Sequence, residues 1–194
     1  LTSPSTWASF TNTSGTRMSL KEFTKAKHTE AERTPFMKAV LKKKIPLAVW
    51  RDFTFQKYSF YKVIEDKCRR QSLLGGIEGI ERTQALYEDY SNMEGDRIVG
   101  PRTTTNNYIA YLDKLTEPEQ ILAHLYVWHM GDLFGGQMIK EIVEAPHASL
   151  EFENVEELKV SIRTKLNDKM GPEANNAFDW AIKLMNEYND ELAV

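Results

Sequence analysis

Between Leu122 and Ile139 the chain reads LAHLYVWHMGDLFGGQMI, and this stretch limits the available folds more sharply than any other. It begins as a buried helix would, yet Gly131, Gly135 and Gly136 fall within six residues. Each glycine costs about 1 kcal/mol relative to alanine in a helix interior, so something has to offset them. A glycine lacks Cβ; a helix bends there, and its backbone can lie against a flat partner that a side chain would hold away. Close crossing of two helices uses the same spacing, and small residues alone do not separate the two cases. Asp132 is the one carboxylate in an otherwise uncharged run. A bare backbone surface beside a single acid suits a planar ligand with a reacting centre better than it suits ordinary helix packing.

The rest of the sequence is helical in pattern. Ser19-x-x-Glu22 is a capping box opening a helix from Leu20 to about His28, and Thr29-x-x-Glu32 is a second box that predicts a new helix directly afterwards, with Phe36, Met37, Val40 and Leu41 on one face. His28 is therefore expected near a junction between helices. Pro46 can open a long helix over Leu47 to Arg70, apolar on more than one side as a central, doubly packed helix would be. A short helix around Ile80 to Tyr90 and another over Thr103 to Leu115 precede Thr116-x-x-Glu119 with Pro118, which marks the start of the glycine-rich helix. That helix should end near Pro146. Asn154-x-x-Glu157 opens a further helix to about Leu166, and Gly171-Pro172 separates it from a last one over Glu173 to Leu192. No strand alternation, hairpin signal or repeat is present, so the expected fold is a single all-α, multi-helix domain.

At 194 residues the chain suits one domain with a substantial core. Leu1 to Arg17 is rich in Ser and Thr without apolar periodicity, and Met18 directly precedes the first capping box. Residues 1–17 are thus expected to be a disordered leader or a vector-derived remnant, with the domain occupying 18–194. No segment approaches the roughly 18 to 20 apolar residues that span a bilayer, so a soluble protein with no membrane partner is expected. One cysteine, Cys68, excludes an internal disulfide and fits a reducing cytoplasm. A net charge of -3 suggests no nucleic-acid partner, but the charge is uneven. Lys21 to Lys44 carries eight basic residues against three acids, whereas Glu141 to Val194 carries twelve acids against five basic residues. Such asymmetry can steer an acidic partner to one face.

The four histidines are candidate metal ligands. His124 and His129 are five apart and do not share a helix face as an i, i+4 pair would. Glu144-x-x-His147 mimics a di-iron carboxylate motif, but Pro146 breaks the helix that motif needs. His28 is the better candidate. It lies in AKHTEAERTPFMKAVL, with Thr29, Ala31, Glu32, Phe36 and Met37 following it, about a hundred residues before Gly131-Asp132-Leu133-Phe134-Gly135-Gly136-Gln137.

These two segments together resemble the haem oxygenase family, whose proximal region has this arrangement after its histidine and whose distal helix carries GDLSGGQ. The type resembled is the soluble, ferredoxin-dependent bacterial, cyanobacterial or phage enzyme, and the resemblance extends over about Leu20 to Leu192. It departs at Phe134, which stands where the family usually has serine; its ring is expected to point into the core. The resemblance implies that His28 ligates haem iron through a neutral imidazole, with Glu32 orienting that imidazole. It implies ring contact by the backbone at Gly131, Gly135 and Gly136, and a proton-delivering role through ordered water for Asp132. Lys21, Tyr126, Lys159 and Arg163 match the groups that hold the haem carboxylates, which would direct opening to the α-meso carbon.

The implied activity is conversion of haem, at once cofactor and substrate, with O2 into biliverdin IXα, carbon monoxide and ferrous iron. The chain has no flavin or dinucleotide fingerprint, so electrons come from outside. Reduced ferredoxin, which is acidic, is the implied donor, docking at the Lys21 to Lys44 segment, and a bilin reductase is the implied recipient of product. The expected location is the cytoplasm, that of the host for a phage-borne gene. Two other functions belong to the same fold: a haem-sequestering protein without turnover, and a thiaminase-like hydrolase that would need Cys68 as nucleophile.

Overall fold

The computed structural model describes residues 18–95 and 99–193. The leader assigned to residues 1–17 lies outside them. Ten α-helices occur among the described residues, with no strand. Helix α1 (Leu20–Glu32) opens on the expected capping box: the Ser19 amide donates to Glu22 Oε2 at 2.8 Å, and the Glu22 amide donates to Ser19 Oγ at 3.2 Å. It does not stop at His28. Thr29 and Glu32 remain inside α1, and the break falls at Arg33 and Thr34, where Thr34 Oγ1 caps α2 (Pro35–Leu41) by accepting from the Met37 amide. Pro35 decides the boundary because it lacks the N–H that an uninterrupted helix needs and fits the first helical position. His28 consequently stands on a continuous helix rather than at a junction.

Helix α3 (Leu47–Arg70) is central and buries residues on several sides, Phe53, Phe60, Tyr61, Ile64 and Cys68 among them. It packs against α4 (Thr83–Asn92), α5 (Thr103–Lys114) and α6 (Pro118–Phe134). The core centres there: Phe60 and Tyr61 meet Trp128 of α6 with ring centroids 4.6 Å and 6.1 Å away, and Phe60 lies 5.2 Å from Tyr108 of α5. Removing this much aromatic and aliphatic surface from water is the main driving force for the fold.

The glycine-rich helix is not one unit. It divides at Gly135 into α6 and α7 (Gly136–Ile142), which ends four residues before Pro146. The Thr116 capping box is not formed; Glu117 is the N-cap without a side-chain bond, and Pro118 occupies the first turn. Helix α8 (Val155–Arg163) starts after Asn154, whose φ of 51° places it in the left-handed region, which asparagine tolerates better than most residues. Gly171 and Pro172 open α9 (Gly171–Asn186) instead of separating helices, and α10 (Asn189–Leu192) is a separate short turn. Helix α1 packs on α9, and α9 on α6. This frame holds α1 beside the α6–α7 pair with a cleft between them. Among the described residues no helix is long and apolar enough to cross a membrane.

Candidate active site

The cleft has a volume of about 740 Å³ and is lined mostly by apolar atoms, within the range of small-molecule and cofactor sites. Its walls come from every helix that packs around it. Helix α1 contributes Lys21, His28 and Glu32; α6 contributes Tyr126, Gly131, Asp132 and Phe134; Gly135 stands at the joint before α7, and Arg163 reaches in from α8. All of these but Phe134 were expected in the site, so eight of the ten expected site residues line one cavity. Gly136 and Lys159 do not line it.

The three glycines have different neighbours. A Cβ built on Gly131 would meet nothing within 4 Å, so its backbone faces open space. One on Gly135 would lie 3.2 Å from the Gly131 carbonyl oxygen, and one on Gly136 would lie 2.9 Å from Leu150 Cδ2. Gly136 thus serves packing against Leu150, whereas Gly131 leaves a bare backbone surface to the cleft.

Asp132 is buried on this surface and fully engaged. Lys57 Nζ donates to its Oδ1 at 2.6 Å, and the Tyr61 hydroxyl donates to its Oδ2 at 2.6 Å. Both donors come from α3, one turn apart. Burial, reinforced by the Asp132 charge, pushes the Tyr61 phenol well above its ordinary range, so it stays a proton-bearing donor. Neither Lys57 nor Tyr61 was identified as a site residue from the sequence. A signal was present: Trp50, Phe53, Lys57, Tyr61, Ile64 and Cys68 follow one another at three- and four-residue steps, so Lys57 interrupts an apolar stripe where a lysine has no ordinary reason to be.

His28 presents its side chain from the other helix, 59% exposed, with its ring edge-on to Phe178 at 5.8 Å. Glu32 Oε1 lies 3.6 Å from His28 Nδ1, one helical turn along and beyond a hydrogen bond. The other histidines have different environments. His124 bridges Tyr108 and Glu173 in the core at 2.5 Å and 2.7 Å, and His129 contacts Glu65 at 3.0 Å. Burial alone would raise the Glu65 carboxyl, but its contact with His129 and the hydrogen bonds from Arg82 and Thr83 hold it below its usual value. His147 borders the cleft from the irregular segment after α7, 3.1 Å from Glu151. No cluster of three or more His, Cys, Asp or Glu able to hold a metal ion occurs among the described residues.

Phe134 does not point into the core. It is 41% exposed and lies on the cleft wall one helical turn after Met130, which lines the same cleft, whereas its neighbour Leu133 is fully buried. Its ring lies beneath two cations, Lys159 Nζ at 4.6 Å and Arg163 Cζ at 5.5 Å from the centroid, within cation–π range. Lys159 also bonds Glu156 at 3.0 Å. Cys68 is buried in the core away from the cleft, and burial pushes its thiol up to about 12; a nucleophile needs the opposite on both counts.

Comparison with known proteins shows the family and the fold. The family described as "Heme oxygenase" matches residues 16–160. Heme oxygenase from Rhodella violacea is 27% identical over 89% of this chain and 86% of that protein. Heme oxygenase 2 of Macaca fascicularis is also 27% identical, over 87% of this chain, which spans 63% of that longer protein's length. Among solved structures, the crystal structure of heme oxygenase-1 from the cyanobacterium Synechocystis in complex with heme superposes with a TM-score of 0.81 at 26% identity, covering 90% of this chain and 92% of that one. The heme oxygenase of Leptospira interrogans gives 0.78 at 25% identity, covering 87% and 97%.

Proposed function

Because the chain belongs to the haem oxygenase family, we propose that it cleaves haem at the α-meso carbon, using O2 and external electrons, to give biliverdin IXα, carbon monoxide and ferrous iron. The observation that carries this is the single cleft in which His28 of α1 and the Gly131-Asp132 surface of α6 come together. The cleft fits haem in three respects: its lining is apolar, its volume suits a cofactor, and Gly131 leaves room for a flat ring to approach the backbone.

Haem, when bound, supplies the iron at which O2 is activated and the carbon that is oxidised. His28 would hold the iron, with Glu32 behind Nδ1 favouring the tautomer that leaves Nε2 as the ligand. Lys21, Tyr126 and Arg163 would receive the carboxylates. Phe134 gives Arg163 and Lys159 a common platform, so the residue that departs from the family pattern supports the carboxylate end of the cleft. Both oxygens of Asp132 are engaged by Lys57 and Tyr61, so this cluster would serve proton delivery by holding water beside the bound haem and not by direct contact of the carboxyl group.

Electrons are assigned to reduced ferredoxin. Lys21, Lys25, Arg33, Lys38, Lys42, Lys43 and Lys44 are exposed along α1, α2 and the turn after them, a basic surface for an acidic donor close to the cleft. A bilin reductase is the proposed consumer of the product, and the cytoplasm the proposed location.

The histidine tests the proposal. His28→Ala should still take up some hemin in the apolar cleft, with an altered Soret band, and should lose more than about tenfold in turnover, the scale on which even partners behind a metal ligand act. Added imidazole should restore part of both. An unchanged spectrum and unchanged biliverdin formation would rule out His28 as the ligand.

A further inference from the structure

The cleft holds one buried cation. Of its lysines and arginines, Lys21, Lys25 and Arg163 are exposed and Lys140 is half-buried, whereas Lys57 is only 8% exposed. Burying an ammonium in an apolar wall is tolerated only with a charged or hydrogen-bonding partner, and Asp132 provides one at 2.6 Å. The Tyr61 ring adds its face 5.1 Å from Nζ, and its hydroxyl fixes the second oxygen of the same carboxylate at 2.6 Å. This arrangement determines which group can donate. A carboxylate paired to an ammonium is an acceptor only, while an ammonium has three N–H groups and spends one on Asp132.

Resting on the assignment of haem to this cleft, we propose that Lys57 is the cationic hydrogen-bond donor to small anions and oxygen ligands bound over the ring, and that Asp132 and Tyr61 act largely by holding it there. In such a site the carboxylate alone would repel an anion. The fixed ammonium offsets that charge and supplies a directed N–H, and charge-assisted bonds of this kind are roughly twice as strong as neutral ones.

Azide affinity of the ferric haem complex, read from the Soret shift at neutral pH, tests this without turnover. Imidazole serves as a neutral ligand that needs no cation. Four proteins are compared: the parent, Lys57→Met, Asp132→Asn, and the double variant Lys57→Met with Asp132→Asn. The double variant removes both charges together, so no buried carboxylate is left unpaired. Azide should bind about tenfold or more weakly to Lys57→Met than to the parent, consistent with loss of a charge-assisted bond. The double variant should be weaker than Asp132→Asn by a similar factor, with imidazole affinity changed less than about threefold across the set by the same arithmetic. Lys57→Arg should recover most of the azide affinity. Equal azide affinity in Asp132→Asn and the double variant would overturn the proposal, because any loss in Lys57→Met would then reflect only the stranded carboxylate. Failure of the parent to bind hemin would instead overturn the assignment of haem to the cleft.

Discussion

Asp132 and Lys57 show how far a residue type can be read before its partners are known. Asp132 was legible because a lone acid among glycines and apolar residues is unusual wherever the chain goes. Lys57 was not, because lysine is ordinarily a surface residue and its partner lies 75 positions away. Only the packing of α3 on α6 brings them together. Phe134 departs from expectation: intact Gly131 and Asp132 beside it suggest a ring turned into the core, yet Leu133 is the fully buried neighbour and Phe134 is turned to the cleft. At this scale, Asp132→Ala should still bind hemin through His28 but stop at an oxidised product with the ring intact. Biliverdin formation should fall by at least about 10²-fold, the scale of lost proton-transfer assistance, because Asp132 anchors the Lys57 and Tyr61 cluster that would serve the proton path. Product analysis by absorbance and chromatography checks this; undiminished biliverdin would remove Asp132 from the proton path.

Among elements, the helix boundaries that prolines fix were the readable ones in part only. Four-residue capping boxes recur often in a sequence rich in Thr and Glu, and two of the three with Ser or Thr at their head went unused, at Thr29 and Thr116. Pro35 and Pro118 set the actual starts. The glycines separate by what surrounds them, which no spacing shows. Gly131 faces open space, whereas a Cβ on Gly171 would fall 2.5 Å from the Phe23 ring where α9 meets α1. Gly131→Ala should therefore leave the thermal stability of the haem-free protein unchanged or raise it by up to about 1 kcal/mol, while weakening hemin binding. Gly171→Ala should cost about 1–3 kcal/mol through overpacking, with little effect on hemin affinity in the folded fraction. Thermal melts and hemin titrations of both variants check the pair. A destabilised Gly131→Ala that binds hemin normally would mean that this glycine serves helix packing.

For the whole molecule, the all-α class was legible because helical periodicity covers nearly the entire chain and strand alternation none of it. The cleft was legible only through two motifs about a hundred residues apart; its walls depend on α1, α3, α6 and α9 packing together. The same packing leaves most of the basic residues of α1 and α2 exposed beside the cleft, so the proposed haem and electron donor would meet the protein on one side. The central claim is that this cleft binds haem and opens the ring. Its most direct test is an absorbance time course on the purified protein with one equivalent of hemin, started in air by ferredoxin, its reductase and NADPH with catalase present. The Soret band should decay as biliverdin absorption grows, and the isolated pigment should be the IXα isomer. A Soret band that persists with both ferredoxin and ascorbate as reductants would contradict turnover, and hemin that never binds would contradict the site itself.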